Sequence, residues 1–173
     1  MYGQKPDLGF KMMAITFKIR DFFSPRAKVL AEVGIRPGWS VLDYGCGPGG
    51  YIKDTAELAG PEGKIYALDI HPSAVAMVDA LGLKNVKTIL SDCDTGLESG
   101  SLDAVLLYDT FHDLSESQRI IQELHRVLKP GGLLSFSDHH MQEDDILASV
   151  ANGRFELARK GKKTYTFRKK LPD

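Results

Sequence analysis

Ser40-Val41-Leu42-Asp43-Tyr44-Gly45-Cys46-Gly47-Pro48-Gly49-Gly50 is the stretch that decides how this chain is read. A short apolar run reaches an aspartate, and the backbone then passes through four glycines and a proline. The segment that follows, Tyr51 to Ala59, reads as helix. Strand, glycine turn and helix together open a nucleotide-binding βαβ unit. The glycines permit positive φ and let a ligand approach the main chain where no Cβ intervenes. The helix N-terminus offers unpaired N–H groups at the same spot.

Gly45, Gly47 and Gly50 satisfy G-x-G-x-x-G, the dinucleotide pattern, which by itself is also met by tight strand–helix turns that hold no ligand. Asp43 separates the readings. A carboxylate beside the loop repels a pyrophosphate and attracts a cation, and between Ser40 and Gly60 only Lys53 is basic. The residues D-x-G-C-G-P-G resemble the first motif of the class I S-adenosylmethionine-dependent methyltransferases, whose cofactor carries a sulfonium and an ammonium group.

The chain has 173 residues, of which 43% are hydrophobic and 26% charged, which suits one soluble domain with its own core. Cys46 and Cys93 lie far apart and form no CxxC, so neither a disulfide framework nor a zinc site is expected. No signal peptide or bilayer-length apolar run is visible, which makes a cytoplasmic protein the default. Net charge is −1 but uneven: from Arg154 onward there are eight basic and two acidic residues. Such a basic stretch marks either an anionic partner or lysines that protect a sheet edge from pairing with other chains.

Residues 1–38 precede the first strand and are expected to form a helical cap. Leu8 to Phe23 is apolar around more than one helical face, with Met12, Ile15, Ile19 and Phe22 on one side and Phe10, Met13 and Phe17 widening it. It suits core packing, a lid over a substrate, or a peripheral membrane contact through 8–23 with Lys11, Lys18 and Arg20 at the headgroups. Ser24 and Pro25 start a second helix, Arg26 to Val33. A regular alternation follows the glycine loop: strand Lys64–Asp69, helix Pro72–Leu81, strand Val86–Leu90, strand Leu102–Tyr108, a helix capped by Ser115, a stop at Lys129-Pro130-Gly131-Gly132, and strand Leu133–Phe136. A helix near Gln142–Val150 and a hairpin (Phe155–Arg159 and Thr164–Lys169, turning at Gly161) complete it. This alternation implies α/β architecture with a parallel sheet covered on both faces. The expected fold is a Rossmann-like three-layer sandwich, a mostly parallel seven-stranded sheet with a C-terminal antiparallel hairpin, in a single domain spanning 1–173.

Asp43, Asp69, Asp92 and Asp109 stand at the carboxyl ends of the first four strands, the edge where open α/β sheets bind ligands. Four acidic groups on one edge call for a cationic or hydrogen-bonding ligand, and no lysine or arginine sits in the strand-end turns. From about Ile35 to Lys170 the order and spacing resemble the class I methyltransferases, most closely the small-molecule branch that includes quinone methyltransferases. That resemblance implies S-adenosyl-L-methionine as cofactor. It places Gly45, Cys46, Gly47 and Gly49 along the methionine portion with Asp43 near its ammonium, and Asp69 on the ribose hydroxyls. Ile70 falls on adenine, Asp92 and Cys93 at its exocyclic amine, and Tyr108 and Asp109 by the sulfonium.

On the acceptor side, His112, His139 and His140 follow the fourth and fifth strands and are the candidate general bases for an acceptor that arrives protonated. His125 faces away from this edge and reads as structural. A metal site from His112, Asp113, His139 and His140 has suitable ligand types but no recognised spacing, so no metal is expected. The Asn-Pro-Pro-Tyr signature of nucleic-acid amine methylation is missing, and Asp109-Thr110-Phe111-His112 stands in its place. The partner expected is therefore a small, apolar or aromatic acceptor and not nucleic acid. Two other functions fit the same residues: a binding module that keeps the cofactor pocket without catalysis, and an NAD-dependent oxidoreductase. Oligomeric state is not legible.

Overall fold

The structure, a computed structural model, describes residues 26–151 and 153–170. The expected helix over 8–23, with Ser24 and Pro25 after it, lies outside the described residues. Helix α1 spans Arg26–Val33 and leads into β1 (Ser40–Tyr44), α2 (Ile52–Ala59), β2 (Lys64–Asp69), α3 (Pro72–Asp79) and β3 (Val86–Leu90). Then come β4 (Leu102–Tyr108), a 3₁₀ turn (Phe111–Asp113), α4 (Ser117–Val127), β5 (Leu128–Ser137), α5 (Glu143–Val150), β6 (Phe155–Lys160) and β7 (Tyr165–Lys169).

The seven strands form one sheet in the order β3-β2-β1-β4-β5-β7-β6. The first five are mutually parallel, and β7 runs antiparallel to both β5 and β6. Side-chain alternation divides the core in two. Val41, Ile65, Ala67, Ala104 and Leu106 face one side, against Val29, Leu30 and Val33 of α1, Ile52, Ala56 and Ala59 of α2, and Val78 of α3. Leu42, Leu68, Val105, Leu107, Leu134 and Phe136 face the other, against Ile120, Ile121, Leu124 and Val127 of α4 and Ile146 and Val150 of α5. The spacing of the α4 set is an amphipathic stripe, and truncating a buried member such as Leu124 to alanine costs about 2–5 kcal/mol. Helix α1 is thus part of the core layer, although it belongs to the stretch expected as a cap.

Apart from shifts of one or two residues at element ends, two boundaries differ from the sequence reading. The Lys129-Pro130-Gly131-Gly132 stretch does not precede β5 but lies within it: Leu128 pairs with Leu102 and Leu133 with Ala104, so the strand bulges between them. Pro130 has no N–H to give the ladder and Gly131 takes φ +73°, which is how the extra residues are looped out. Lys129 Nζ reaches Asp103 Oδ1 at 2.7 Å across this bulge. Helix α4 begins at Ser117 with Glu116 at the N-cap, where no side chain caps it, so Ser115 is not the cap.

The closing hairpin is tied to the first helix. The N–H groups of Lys162, Lys163 and Thr164 and the Thr164 hydroxyl all donate to the Glu32 carboxylate, at 2.9–3.2 Å. Burial acts to raise the Glu32 pKa, but these donors outweigh it and hold the group below its usual range. Beyond Phe155, β6 is exposed along its length and carries Arg159 and Lys160, as a protected sheet edge requires.

Candidate active site

The strand order reverses between β1 and β4, and the cleft outside that point is a cavity of about 610 Å³. Its wall takes Asp43, Gly45, Cys46 and Gly47 from the end of β1, Asp69 and Ile70 from β2, Asp92 and Cys93 after β3, and Tyr108 and Asp109 at the end of β4. The register explains the assembly. Tyr44 pairs with both Leu68 and Leu107, and Asp69 with Leu90, so successive strands end level with one another.

Asp43 has the same parity as Val41 and therefore points to the α1–α2 side of the sheet. It is 3% exposed, and its Oδ2 is buried with no hydrogen-bond partner. Burial, and then the charge of Asp69, push its pKa up to about 7, while Arg26 pulls the other way. Arg26 was not expected here. It is the first residue of α1, it lines the cavity, and its guanidinium donates to Gly50 O and lies 5.4 Å from the centre of the Tyr51 ring. Tyr51 in turn packs on Tyr108 at 4.9 Å, and the Tyr108 hydroxyl bonds Ser135 Oγ at 2.8 Å.

Asp69 is oriented from two sides. Gly47 N–H donates to Oδ2 at 2.9 Å, and His71 N–H to Oδ1 at 2.9 Å. The His71 ring also approaches Oδ1 at 3.0 Å. A carboxylate has about four acceptor positions, so capacity remains for a ligand's hydroxyl. Ile70, next along, is 59% exposed on the cavity wall, an apolar side chain without cover among the described residues. Below the loop, Tyr44 OH donates to Asp92 O at 2.6 Å and holds the turn after β3.

Gly45 takes φ +74°, and a Cβ there would lie 2.5 Å from Thr110 Oγ1, so the loop passes against the turn after β4. Gly49 does not line the cavity. It has φ +78° and its missing Cβ makes room for Val78 and Ile52, which is a packing role. Cys46 is buried, and its thiol is held well above the usual range by that burial and by Asp43.

The three histidines gather beside the cavity and not in its wall, which on this side reaches Asp109, Thr110 and Asp113. The backbone N–H of Asp109 donates to Ser137 O at 2.7 Å and brings the turns after β4 and β5 together. Asp138, with its side chain wholly buried, accepts from His112 Nδ1 at 2.9 Å, His112 N–H at 3.0 Å and His140 N–H at 3.0 Å. That hydrogen bond is the main reason the His112 pKa is raised. His139 Nδ1 lies 2.8 Å from Asp109 Oδ1. The His139 and His140 rings are 3.9 Å apart and those of His112 and His140 4.2 Å. Asp138 escaped notice in the sequence although it follows β5 as Asp109 follows β4, which was the available signal. His125 packs edge-on against Phe155 at 5.4 Å and does not line the cavity.

Residues 35–170 match the family described as a methyltransferase domain. The chain belongs to that family. A demethylmenaquinone methyltransferase of Lactococcus lactis subsp. lactis is 33% identical over 128 residues, covering 70% of this chain and 50% of that protein. A ubiquinone/menaquinone biosynthesis C-methyltransferase of Cupriavidus taiwanensis is 32% identical over 115 residues, covering 62% of this chain and 47% of that one. The chain thus spans about half the length of these curated relatives. Among solved structures, a SAM-dependent methyltransferase from Aquifex aeolicus superposes with a TM-score of 0.72 at 28% identity, over 88% of this chain and 96% of that one. The family match therefore runs from just before β1 through the closing hairpin. Among the described residues no helix is long and apolar enough to cross a membrane.

Proposed function

We propose that this protein binds S-adenosyl-L-methionine in the cavity between β1 and β4 and transfers its methyl group to a small ring acceptor of the quinol type. The observation that carries the reading is Asp43: a fully buried carboxylate, one oxygen unpartnered, on the wall of a glycine-loop cavity in a methyltransferase-family chain. A buried charge in that position is costly without a cation to meet it, and the cofactor's ammonium is such a cation. The residues fit the rest of the molecule. Asp69 keeps an open position on Oδ2 for one ribose hydroxyl, and a second opens on Oδ1 when the exposed His71 ring turns aside. Exposed Ile70 offers an apolar face to adenine, and Asp92 with Cys93 closes the adenine end. Gly45, Cys46 and Gly47 give main-chain access along the methionine portion, where Arg26 supplies positive charge for its carboxylate. Tyr108 and Asp109 flank the reacting end. When bound, the cofactor supplies an electrophilic methyl on a sulfonium.

The chain's own task is to hold nucleophile and methyl in line and keep water out, an effect worth up to ~7–11 kcal/mol. Tyr51 and Tyr108 are the bulky walls that exclude water near Asp43. The demethylmenaquinone in one relative's name and the C-methyltransferase in the other's support a quinol ring whose hydroxyl gives up its proton so that a ring carbon takes the methyl. That carbon's own hydrogen then leaves to restore the aromatic hydroxyl. We assign the hydroxyl proton to His112, whose ring Asp138 orients through Nδ1, with His139 and His140 beside it. Calorimetric titration with S-adenosylhomocysteine and, separately, with NADH tests the cofactor. Tight one-to-one binding of the first and none of the second is expected; the reverse result overturns the reading.

A further inference from the structure

Asp109, Asp138 and His139 come from two turns, yet one ligand atom from each lies within 4.8 Å of the others. This trio is distinct from the cofactor-contacting residues apart from Asp109, which faces both. We propose that it is a site for a divalent first-row cation such as Mn²⁺, Fe²⁺ or Zn²⁺, placed where it meets an acceptor oxygen. The role on the acceptor rests on the methyltransferase reading; the site itself does not.

Ligand atoms about 2.0–2.2 Å from one ion and cis to each other are separated by about 3 Å in octahedral coordination. His139 Nδ1 and Asp109 Oδ1 are already 2.8 Å apart. Asp138 uses Oδ2 for the ring and main chain of His112 but Oδ1 only for His140 N–H. Oδ1 is thus the oxygen with capacity for an ion, and His112 becomes the group that fixes the ligating carboxylate from behind, as outer partners of metal ligands do. The His139 side chain is 63% exposed, so its ring is free to adjust toward the two carboxylates.

Two observations beyond the trio point the same way. Asp138 is wholly buried and already desolvated, and its Oδ1 takes only the His140 N–H, so it can meet an ion without a further desolvation cost. Two further imidazoles, His112 and His140, stand within a ring's width of the trio, giving a donor environment of nitrogen and oxygen that suits first-row metals over a purely oxygen-seeking ion. Binding through Nδ1 requires the neutral imidazole of His139 to carry its proton on Nε2. A cation there would act as a Lewis acid on an acceptor hydroxyl, lowering its pKa so that the oxygen coordinates as the oxyanion and its proton passes to His112.

The test is a titration of the full chain, first stripped with EDTA, with MnCl₂ alone, following free Mn²⁺ by its paramagnetic resonance signal. One bound ion per chain is expected. His139→Gln, on the exposed surface, and Asp109→Asn should each weaken binding by at least about 100-fold. Saturation at one site that both variants leave intact overturns the proposal, as does the lack of any bound ion at millimolar Mn²⁺. S-adenosylhomocysteine titration of the EDTA-treated protein separates the two readings: cofactor binding without metal binding sinks only the metal site, whereas metal binding without cofactor binding sinks only the proposed function.

Discussion

The main-chain N–H of Gly47 donates to Asp69 Oδ2 at 2.9 Å, so the glycine loop after β1 and the acidic end of β2 are one unit. Asp69 is a loop anchor as well as a ligand acceptor. Asp69→Ala should therefore weaken S-adenosylhomocysteine binding by about 1.5–3 kcal/mol, since a charged acceptor is lost and the loop is released. Calorimetry on the folded variant measures it, and native affinity would contradict the ribose assignment.

Asp43 predicts a pH dependence with opposite signs for stability and binding. Its pKa in the fold is about 7, raised from 3.8 by burial and then by Asp69. The folded chain therefore holds this proton more tightly than the unfolded chain does. The resulting stability is fully present below about pH 4 and is lost as pH rises through about 7, by up to roughly 4 kcal/mol. Asp43→Asn should gain stability relative to wild type over that window, as read by urea unfolding at each pH. Cofactor affinity should rise over the same window, because the ionised carboxylate is what meets an ammonium. Arg26→Met should move the binding midpoint to higher pH by removing the charge that opposes the shift. A binding curve flat across neutrality in wild type would rule this out.

Gly45→Ala introduces a Cβ 2.5 Å from Thr110 Oγ1 at a φ of +74°. The left-handed backbone alone costs about 1–2 kcal/mol in a residue with a Cβ, before the clash is counted. Thermal unfolding should show this loss, and adding Thr110→Gly should restore the clash component but not the backbone component. Additive effects of the two substitutions would show that the loop and the turn after β4 are not in contact.

His112→Ala should lower turnover by about 10²–10⁴-fold while leaving S-adenosylhomocysteine affinity within a factor of two or so, because its ring stands outside the cofactor wall. Steady-state kinetics beside calorimetry makes the split visible. Equal losses in both would mean that His112 supports the cofactor site instead.

The sheet and its acidic edge were legible because their signals are local. An apolar run ending in aspartate marks a strand end whatever surrounds it, and glycines at Gly45 and Gly47 announce positive φ, which both adopt. The parts that escaped depend on residues distant in sequence. Arg26 reaches Gly50 from 24 positions away, and no pattern near the glycine loop foretells a cation from the preceding helix. Asp138 looked like one more turn aspartate, and only the approach of the β4 turn to the β5 turn makes it the clamp on His112. Lys129-Pro130-Gly131-Gly132 misled because the residues that end a helix are also those that loop a bulge out of a strand. Only its pairing with β4 separates the two.

The Glu32 tie sets an order of events. Helix α1 carries Arg26 at one end and Glu32 near the other, and the donors that hold Glu32 lie 130 to 132 residues downstream. On the ribosome, packing of α1 can bring Arg26 toward Asp43 early, but the Glu32 end of that helix is not tied until the last hairpin has emerged. Until then the helix that carries a counter-charge to the carboxylate edge lacks its far anchor, so cofactor affinity should mature late. The last contact to form thus joins the two ends of the described chain and lies outside the nucleotide loop itself.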